Sequence, residues 1–295
     1  MNPKLVTVIG VGNMGGGMAA NLLSQGWGVQ VCDIDAGKVA EMVALGAVAI
    51  DSPAEAAADS RAFIICVVDA AQTEDVLFDG QGLARMLQPG HAVMLCPTIS
   101  PQDVESFASR LASRGVHTLD APMSGGPARA RDGSMSLMLA CTDEVYTQQA
   151  GLLQALSAKV FRISEKPGDG ARTKLVNNLL AGINLVGAAE AMALAERLGL
   201  DLSNTLDVIE QSSGQSWIGS DRMRRAIAGD YAPRAHVTLL EKDTRLAMAA
   251  ARAAGFDGPL GLRASQVFAD AHQAGLAGED DAALFKHLKG LAGKS

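Results

Sequence analysis

The residues best suited to chemistry sit at the mouth of a long uncharged stretch, in "GDGARTKLVNN" (168–178). Lys174 and Asn178 are four apart, so on a helix they share one face, with Asn177 beside them. A lysine in a dry setting can act as general acid or base, because desolvation disfavours its ammonium form. Neighbouring amides can orient it and bond a substrate hydroxyl or carboxylate. The plain alternative is a lysine lying along a solvated first turn with its ammonium in water.

A second group is "VTVIGVGNMGGGMAANLL", where Gly10, Gly12 and Gly15 form a GxGxxG pattern. It follows a strand-like run and opens a helix near Met14, which is the context that makes it a dinucleotide loop. There Gly10 makes the tight turn, Gly12 lets a pyrophosphate approach the backbone, and Gly15 lets helix and strand pack closely. Asn13 and Met14 open the helix whose N-terminus receives the phosphates. The next strand-like run ends in "VCDID", which puts Asp33 where a carboxylate can accept bonds from the adenosine ribose hydroxyls. It would repel a 2′-phosphate, and no arginine follows to receive one, so NAD is favoured over NADP. Asp33 could instead cap the helix of "AGKVAEMVA", but Asp35 fits that position better.

In "LDAPMSGGPARARDG", Ser124, Gly125 and Gly126 offer small side chains and exposed backbone N–H groups suited to a carboxylate; the alternative is an ordinary turn. "SSGQSW", with Ser213, Gln215 and Trp217, could close a substrate pocket, or be a capped turn beside a core tryptophan.

The elements that must position these groups change character along the chain. Up to about residue 163, short β-branched runs ("LVTVIG", "GVQVCD", "AFIICVV", "AVMLC", "VHTLD", "SLMLAC") alternate with Ala-rich helical segments. That spacing predicts an α/β domain with a parallel sheet and crossover helices. Ser52 and Ser100, each followed by proline, mark helix starts. From about residue 166 the strands stop. Helical periodicity follows over roughly 170–198, 203–212, 217–229, 236–254 and 258–275, punctuated by Gly199, Gly214, Gly229 and Gly255. The expected division is 1–165 and 166–295, the second part all-α.

The 295 residues are 48% hydrophobic and 19% charged, enough for a substantial core, and the net charge of −7 argues against nucleic acid or an anionic membrane as partner. Cys32, Cys66, Cys96 and Cys141 form no CxxC pair and read as reduced core thiols. The five histidines show no metal-ligand spacing, so no metal site is expected. No signal peptide is evident, and a cytoplasmic protein is expected. Asn177, Asn178, Asn184 and Glu190 interrupt the apolar run, which favours a buried helix over a membrane span.

Taken together, "GVGNMGGGMAANL", "DAPMSGGPARARDG", "GDGARTKLVNN" and "EKDTRLA" resemble, in order and over nearly the whole chain, the β-hydroxyacid dehydrogenase family. That group includes 3-hydroxyisobutyrate dehydrogenase and tartronate semialdehyde reductase. The resemblance implies a Rossmann domain, a long interdomain helix and a helical C-terminal domain that makes homodimer or homotetramer contacts. It implies that Lys174 is the catalytic acid/base, that Asn178, with Asn177, helps hold a small hydroxy-acid substrate, and that Ser124, Gly125 and Gly126 bind its carboxylate. It further implies that Lys242 approaches the cofactor with support from Asp243, that Thr98 of "CPTIS" contacts the cofactor, and that Val67 and Val68 line the adenosine side. Met123 stands where the family has valine. "VVDAAQTEDVLF", "SSGQSWIGSDRM", "GDYAPRAHVTLLEKD" and "AGLAGEDDAALFK" are most similar to the subgroup that oxidises L-threonate at C2 with NAD, whose pattern usually has other residues at 177 and 178. The other substrates the resemblance allows are 3-hydroxyisobutyrate and tartronate semialdehyde. A non-catalytic dinucleotide-binding module is the reading from outside enzymology, and the presence of Lys174, Ser124 and Asn178 argues against it.

Overall fold

Strand β1 (Leu5–Ile9) has four of its five side chains buried, the pattern of a strand covered on both faces. The chain continues through α1 (Asn13–Ser24), β2 (Gly28–Cys32), α2 (Ala36–Ala44), β3 (Val48–Ala49), β4 (Ala62–Ile65), α3 (Ala70–Phe78), β5 (Ala92–Leu95), α4 (Pro101–Ala112) and β6 (His117–Asp120). Then come β7 (Met123–Ser124), α5 (Gly126–Asp132), β8 (Met135–Ala140), α6 (Asp143–Leu156) and β9 (Ser157–Ser164). This computed structural model describes residues 4–60 and 62–291, and the chain divides into two compact units between Lys174 and Leu175.

The sheet order is β3-β2-β1-β4-β5-β6-β8-β7, with β9 on β8. The first six strands are parallel, five of them as their spacing predicts; the two-residue β3 is exposed and too short to stand out in the sequence. Strand order reverses between β1 and β4, the place where doubly wound sheets bind ligands beyond the carboxyl ends of the strands. Two apolar layers cover the sheet. One gathers Met18, Leu22, Met42, Ala130, Leu152 and Leu156. The other gathers Leu77, Val104, Phe107, Leu111 and Ala171.

Three local expectations change. β8, the "SLMLAC" run, is antiparallel to β6 and β7, because the link carrying the seven-residue α5 turns back on α1 rather than crossing over the sheet. β9 was not legible as a strand: its outer positions carry Lys159 and Arg162 and much of it is exposed, as on a protected sheet edge. Ser52 precedes only a single 3₁₀ turn, Pro53–Glu55, because the Ala57 N–H bonds the Gln30 side chain at 2.8 Å instead of continuing a helix. Ser100 does cap α4, accepting from the Asp103 N–H, and Asp35 caps α2, accepting from Gly37 and Lys38.

Helix α7 (Asp169–Arg197) begins in the first unit and continues through the second. By length and composition it could cross a membrane. In the helical unit it instead supplies Leu185, Val186, Ala189, Met192 and Ala193 to a core. Their partners lie on α8 (Leu202–Glu210), α9 (Trp217–Ile227), α10 (Val237–Ala253), α11 (Pro259–Ala271) and α12 (Leu284–Leu291).

A buried ion network closes this unit. Asp280 accepts Arg225 Nη2 at 2.6 Å and the backbone N–H groups of Arg234, Ala235 and Ala282. Asp281 accepts Arg222 Nε at 2.5 Å. Burial raises the Asp280 pKa, but the Arg225 bond and the three N–H donors outweigh it and hold the carboxyl well below its usual range. Removing one partner of such a pair strands a buried charge. Arg225→Met should therefore lower the unfolding free energy by about 3 kcal/mol in urea titrations. Lys289→Ala, which breaks the exposed pair with Glu196, should cost less than about 1 kcal/mol. Equal effects would show that the network is not what closes the unit.

Candidate active site

The Gly10–Gly15 loop divides its glycines between two tasks. Gly10 has φ +87°, and a Cβ there would lie 2.6 Å from the Cys66 carbonyl oxygen. A Cβ on Gly15 would lie 1.9 Å from the Gly10 carbonyl oxygen. These two glycines are required by the protein's own packing. At Gly12 the nearest atom to a Cβ would be Lys38 Nζ, 3.9 Å away. The space over Gly12 is thus left for a ligand. Gly12 is also the N-cap of α1, where no side chain caps the helix, so the first-turn N–H groups around Asn13 and Met14 face outward as an anion site.

Asp33 closes the loop from β2. One carboxylate oxygen accepts the Val11 N–H at 2.6 Å and the other the Asp35 N–H at 2.9 Å. Each oxygen keeps a lone pair for a ribose hydroxyl. Ile34, next in sequence, is fully exposed. Val67 packs on Gly10, Val68 is exposed beside it at the end of β4, and Thr98 is half-buried after β5. An uncapped helix start, an open Gly12 and a fixed carboxylate fit the pyrophosphate and ribose of NAD.

The carboxylate loop repeats this division. Gly125 has φ +134°, and a Cβ there would meet the Arg129 side chain at 2.8 Å. Gly126 has φ +74° and open space at the Cβ position. Ser124 is half-buried, paired with Ser136 in the β7–β8 ladder. Lys174 is buried, and its Nζ donates to the Met123 carbonyl oxygen at 2.7 Å. The lysine is therefore not a solvated first-turn residue, and its ammonium is tied to the residue before Ser124.

The helical unit holds a second polar chain. Asn177 donates to Asn178 Oδ1 at 3.0 Å, Asn178 Nδ2 donates to Asp243 at 2.6 Å, and Lys242 Nζ donates to the other Asp243 oxygen at 2.8 Å. Asn178 and Asp243 are buried and Asn177 is exposed. Trp217 follows the N-cap Ser216 of α9 and is 58% exposed, so it is not a core tryptophan.

Sequence reasoning passed over Asp120, the last residue of β6. It is 1% exposed and accepts the N–H groups of Gly168 at 2.7 Å and Ala171 at 3.2 Å, at the start of α7. The available signal was an acid ending an apolar strand-like run just before "APMSGG". Burial pushes the Asp120 carboxyl up to about 6 against the pull of its backbone donors.

Two outcomes follow. Gly12→Ala should fold with little loss of stability but raise KM for NAD about tenfold or more, whereas Gly15→Ala should lose stability by roughly 2 kcal/mol or more in thermal melts, since backbone must move. Loss of stability by the first and not the second would invert the assignment. For Asp120, the folded chain holds a proton that the unfolded chain releases near pH 4. Its contribution is therefore fully present below about pH 4 and is lost as pH rises to about 6, by on the order of 2–3 kcal/mol. Asp120→Asn removes that slope, so the stability of wild type relative to this variant should decline across pH 4–6 in urea titrations. A constant difference would exclude the raised carboxyl.

Comparison with known proteins places these features in a family. Residues 5–164 match the family described as the NAD binding domain of 6-phosphogluconate dehydrogenase, and residues 168–288 that described as NAD-binding of NADP-dependent 3-hydroxyisobutyrate dehydrogenase. An L-threonate dehydrogenase of Cupriavidus necator is 40% identical over 97% of this chain and 96% of its own. A 3-hydroxyisobutyrate dehydrogenase of Pseudomonas aeruginosa is 33% identical over 92% of this chain and 95% of its own. The crystal structure of a 3-hydroxyisobutyrate dehydrogenase from Salmonella typhimurium aligns with a TM-score of 0.90 at 39% identity, covering 96% of this chain and 99% of that one. With its dinucleotide loop, carboxylate loop and buried lysine in family order, the chain belongs to the β-hydroxyacid dehydrogenases and is an NAD-dependent oxidoreductase of small hydroxy acids.

Proposed function

We propose that this dehydrogenase oxidises L-threonate at C2, with Lys174 as general acid/base. The observation that carries the catalytic part is the burial of Lys174 with its Nζ 2.7 Å from the Met123 carbonyl, one residue from the carboxylate loop. The relative of that name, 40% identical over nearly the whole chain, supports the substrate.

Bound NAD supplies the hydride acceptor. Gly10, Gly12, Asn13, Met14 and Gly15 hold its pyrophosphate, and Asp33 its adenosine ribose, with Val67, Val68 and Thr98 lining its path. A carboxylate at Asp33 supports NAD over NADP. The substrate carboxylate rests on the outward N–H groups of Ser124, Gly125 and Gly126. Lys174 in its neutral form would take the proton of the C2 hydroxyl, and bound NAD would accept the hydride from C2, which leaves a keto group there. In reduction its ammonium returns that proton. Asn178, fixed by Asp243, would bond a substrate oxygen; Asn177 and Trp217 would contact the further hydroxyls of a four-carbon sugar acid; Lys242 is assigned to cofactor binding.

The finer organisation is proposed likewise: an NAD-binding domain over 1–165, a helical domain over 166–295, and a homodimer or homotetramer in the cytoplasm. Exposed Leu194, Leu198 and Leu200 in the helical unit support assembly, and light scattering tests it.

Removing a positioned acid/base typically costs about 10²–10⁴-fold in rate. Lys174→Ala should lose kcat by that factor while the Kd for NADH changes less than about twofold. Near wild-type turnover in this variant would remove Lys174 from the chemistry. The substrate is tested by reading NADH absorbance with L-threonate, D-erythronate, 3-hydroxyisobutyrate, L-serine and D-glycerate. The highest kcat/KM should fall on L-threonate. A higher value on 3-hydroxyisobutyrate, the substrate named for the Salmonella structure, would replace it.

A further inference from the structure

We infer that Asp120 is a positioning residue for hydride and proton transfer: its buried carboxylate seats the first turn of α7 on the end of β6 and so fixes where Lys174 meets the carboxylate loop. This rests on the acid/base role of Lys174. The first N–H groups of a helix have no partner within it. Here Asp120 Oδ2 takes two such donors, from Gly168 and Ala171. Gly168 has φ +99°, so the chain turns into the helix through a conformation that favours glycine. One residue into the helix, a Cβ on Gly170 would lie 2.6 Å from the Met138 carbonyl oxygen and 2.8 Å from that of Asp120. The first turn therefore rests on the backbone of β6 and β8 and on the Asp120 carboxyl group, 2.9 Å from the same point.

Outer contacts flank this seat. Asp169 accepts Ser164 Oγ at 2.7 Å and Arg172 at 2.9 Å, and Arg172 reaches Glu105 at 2.5 Å. These are largely solvated pairs, worth little individually. Asp120 is the buried contact. The same short segment, Asp120 to Ser124, then holds the helix a second time, where the Met123 carbonyl accepts Lys174 Nζ. One end of the segment fixes the helix start, the middle fixes the tip of the lysine, and the far end opens the carboxylate loop. Losing the first attachment leaves the turn to the Gly170 contact and the solvated outer pairs, and the position of Lys174 loosens. That burial pushes the Asp120 carboxyl up agrees with a group kept at this place despite its desolvation.

The test is a double-mutant cycle on the full-length enzyme with its best substrate. A misplacement of about 1 Å at a reacting group can cost 10²-fold. Asp120→Ala should lower kcat about 100-fold while the NADH Kd, titrated by fluorescence, stays within about twofold, since the dinucleotide loop lies on β1 and α1. Asp120→Asn, whose amide oxygen can accept both N–H groups, should recover kcat to within about fivefold of wild type. In a Lys174→Ala background, Asp120→Ala should cost less than about threefold more, because the two residues act as one unit. Gly170→Ala, which displaces the same turn by collision with Met138, should lower kcat at least about tenfold with the same non-additivity, and it carries the test if Asp120→Ala does not fold. Full additivity with Lys174→Ala, or an asparagine variant as impaired as the alanine one, overturns the inference. If Lys174→Ala is inactive while Asp120→Ala turns over normally, this inference alone fails. If Lys174→Ala is itself active, the acid/base reading fails first.

Discussion

The constraint on which the functional unit depends is direct contact between helix backbone and sheet backbone. α1 meets β1 at Gly15, where a Cβ would sit 1.9 Å from the Gly10 carbonyl. α7 meets β6 and β8 at Gly170, where it would sit 2.6 Å from the Met138 carbonyl. Side chains normally separate a helix from the sheet that it packs on. Deleting the side chain at one point lets each helix start close to the carboxyl edge of the sheet, where strand ends, loop amides and a helix dipole converge.

That geometry explains how an acidic chain can bind anions. The net charge is −7, yet the dinucleotide loop and the carboxylate loop are built from backbone N–H groups, whose partial charge does not appear in any count of lysines. It also explains how the buried acids are matched. Asp33 and Asp120, in the α/β unit, are satisfied by N–H donors. Asp280 and Asp281, in the helical unit, are paired with Arg225 and Arg222. Amide donors fix position with little added charge, which suits groups next to a substrate. Arginine pairs supply full charge, which suits a closed structural joint.

These differences decide what the sequence made legible. Gly10, Gly12 and Gly15 could be read because a short motif carries its own context, and Lys174 with Asn178 because helical spacing places them on one face. Five of the six parallel strands followed from alternation of apolar runs with helical segments; the two-residue β3 did not. The direction of β8 was not legible, since it depends on α5 packing back on α1 rather than on anything in the strand itself. β9 was hidden by the charged positions that protect an edge. Asp120 was overlooked because its partners are backbone amides 48 and 51 residues away, and no local pattern marks them. The Asn178–Asp243 bond, across 65 residues, belongs to the same class.

Backbone-held groups and side-chain-held groups also carry different information about function. The groups proposed to hold the cofactor, the substrate carboxylate and the acid/base lysine are glycines, N–H groups and a main-chain carbonyl, none of which can change without moving helix or sheet. The side chains proposed to read the rest of the substrate, Asn177 and Trp217, are exposed and can change at little cost to the fold. Near-equal identity to proteins named for different substrates, 40% and 39%, is what this division of labour produces. On this reading, selection for a new substrate can act on those exposed positions while the proposed contacts of Asp120, Met123 and Lys174 stay in place.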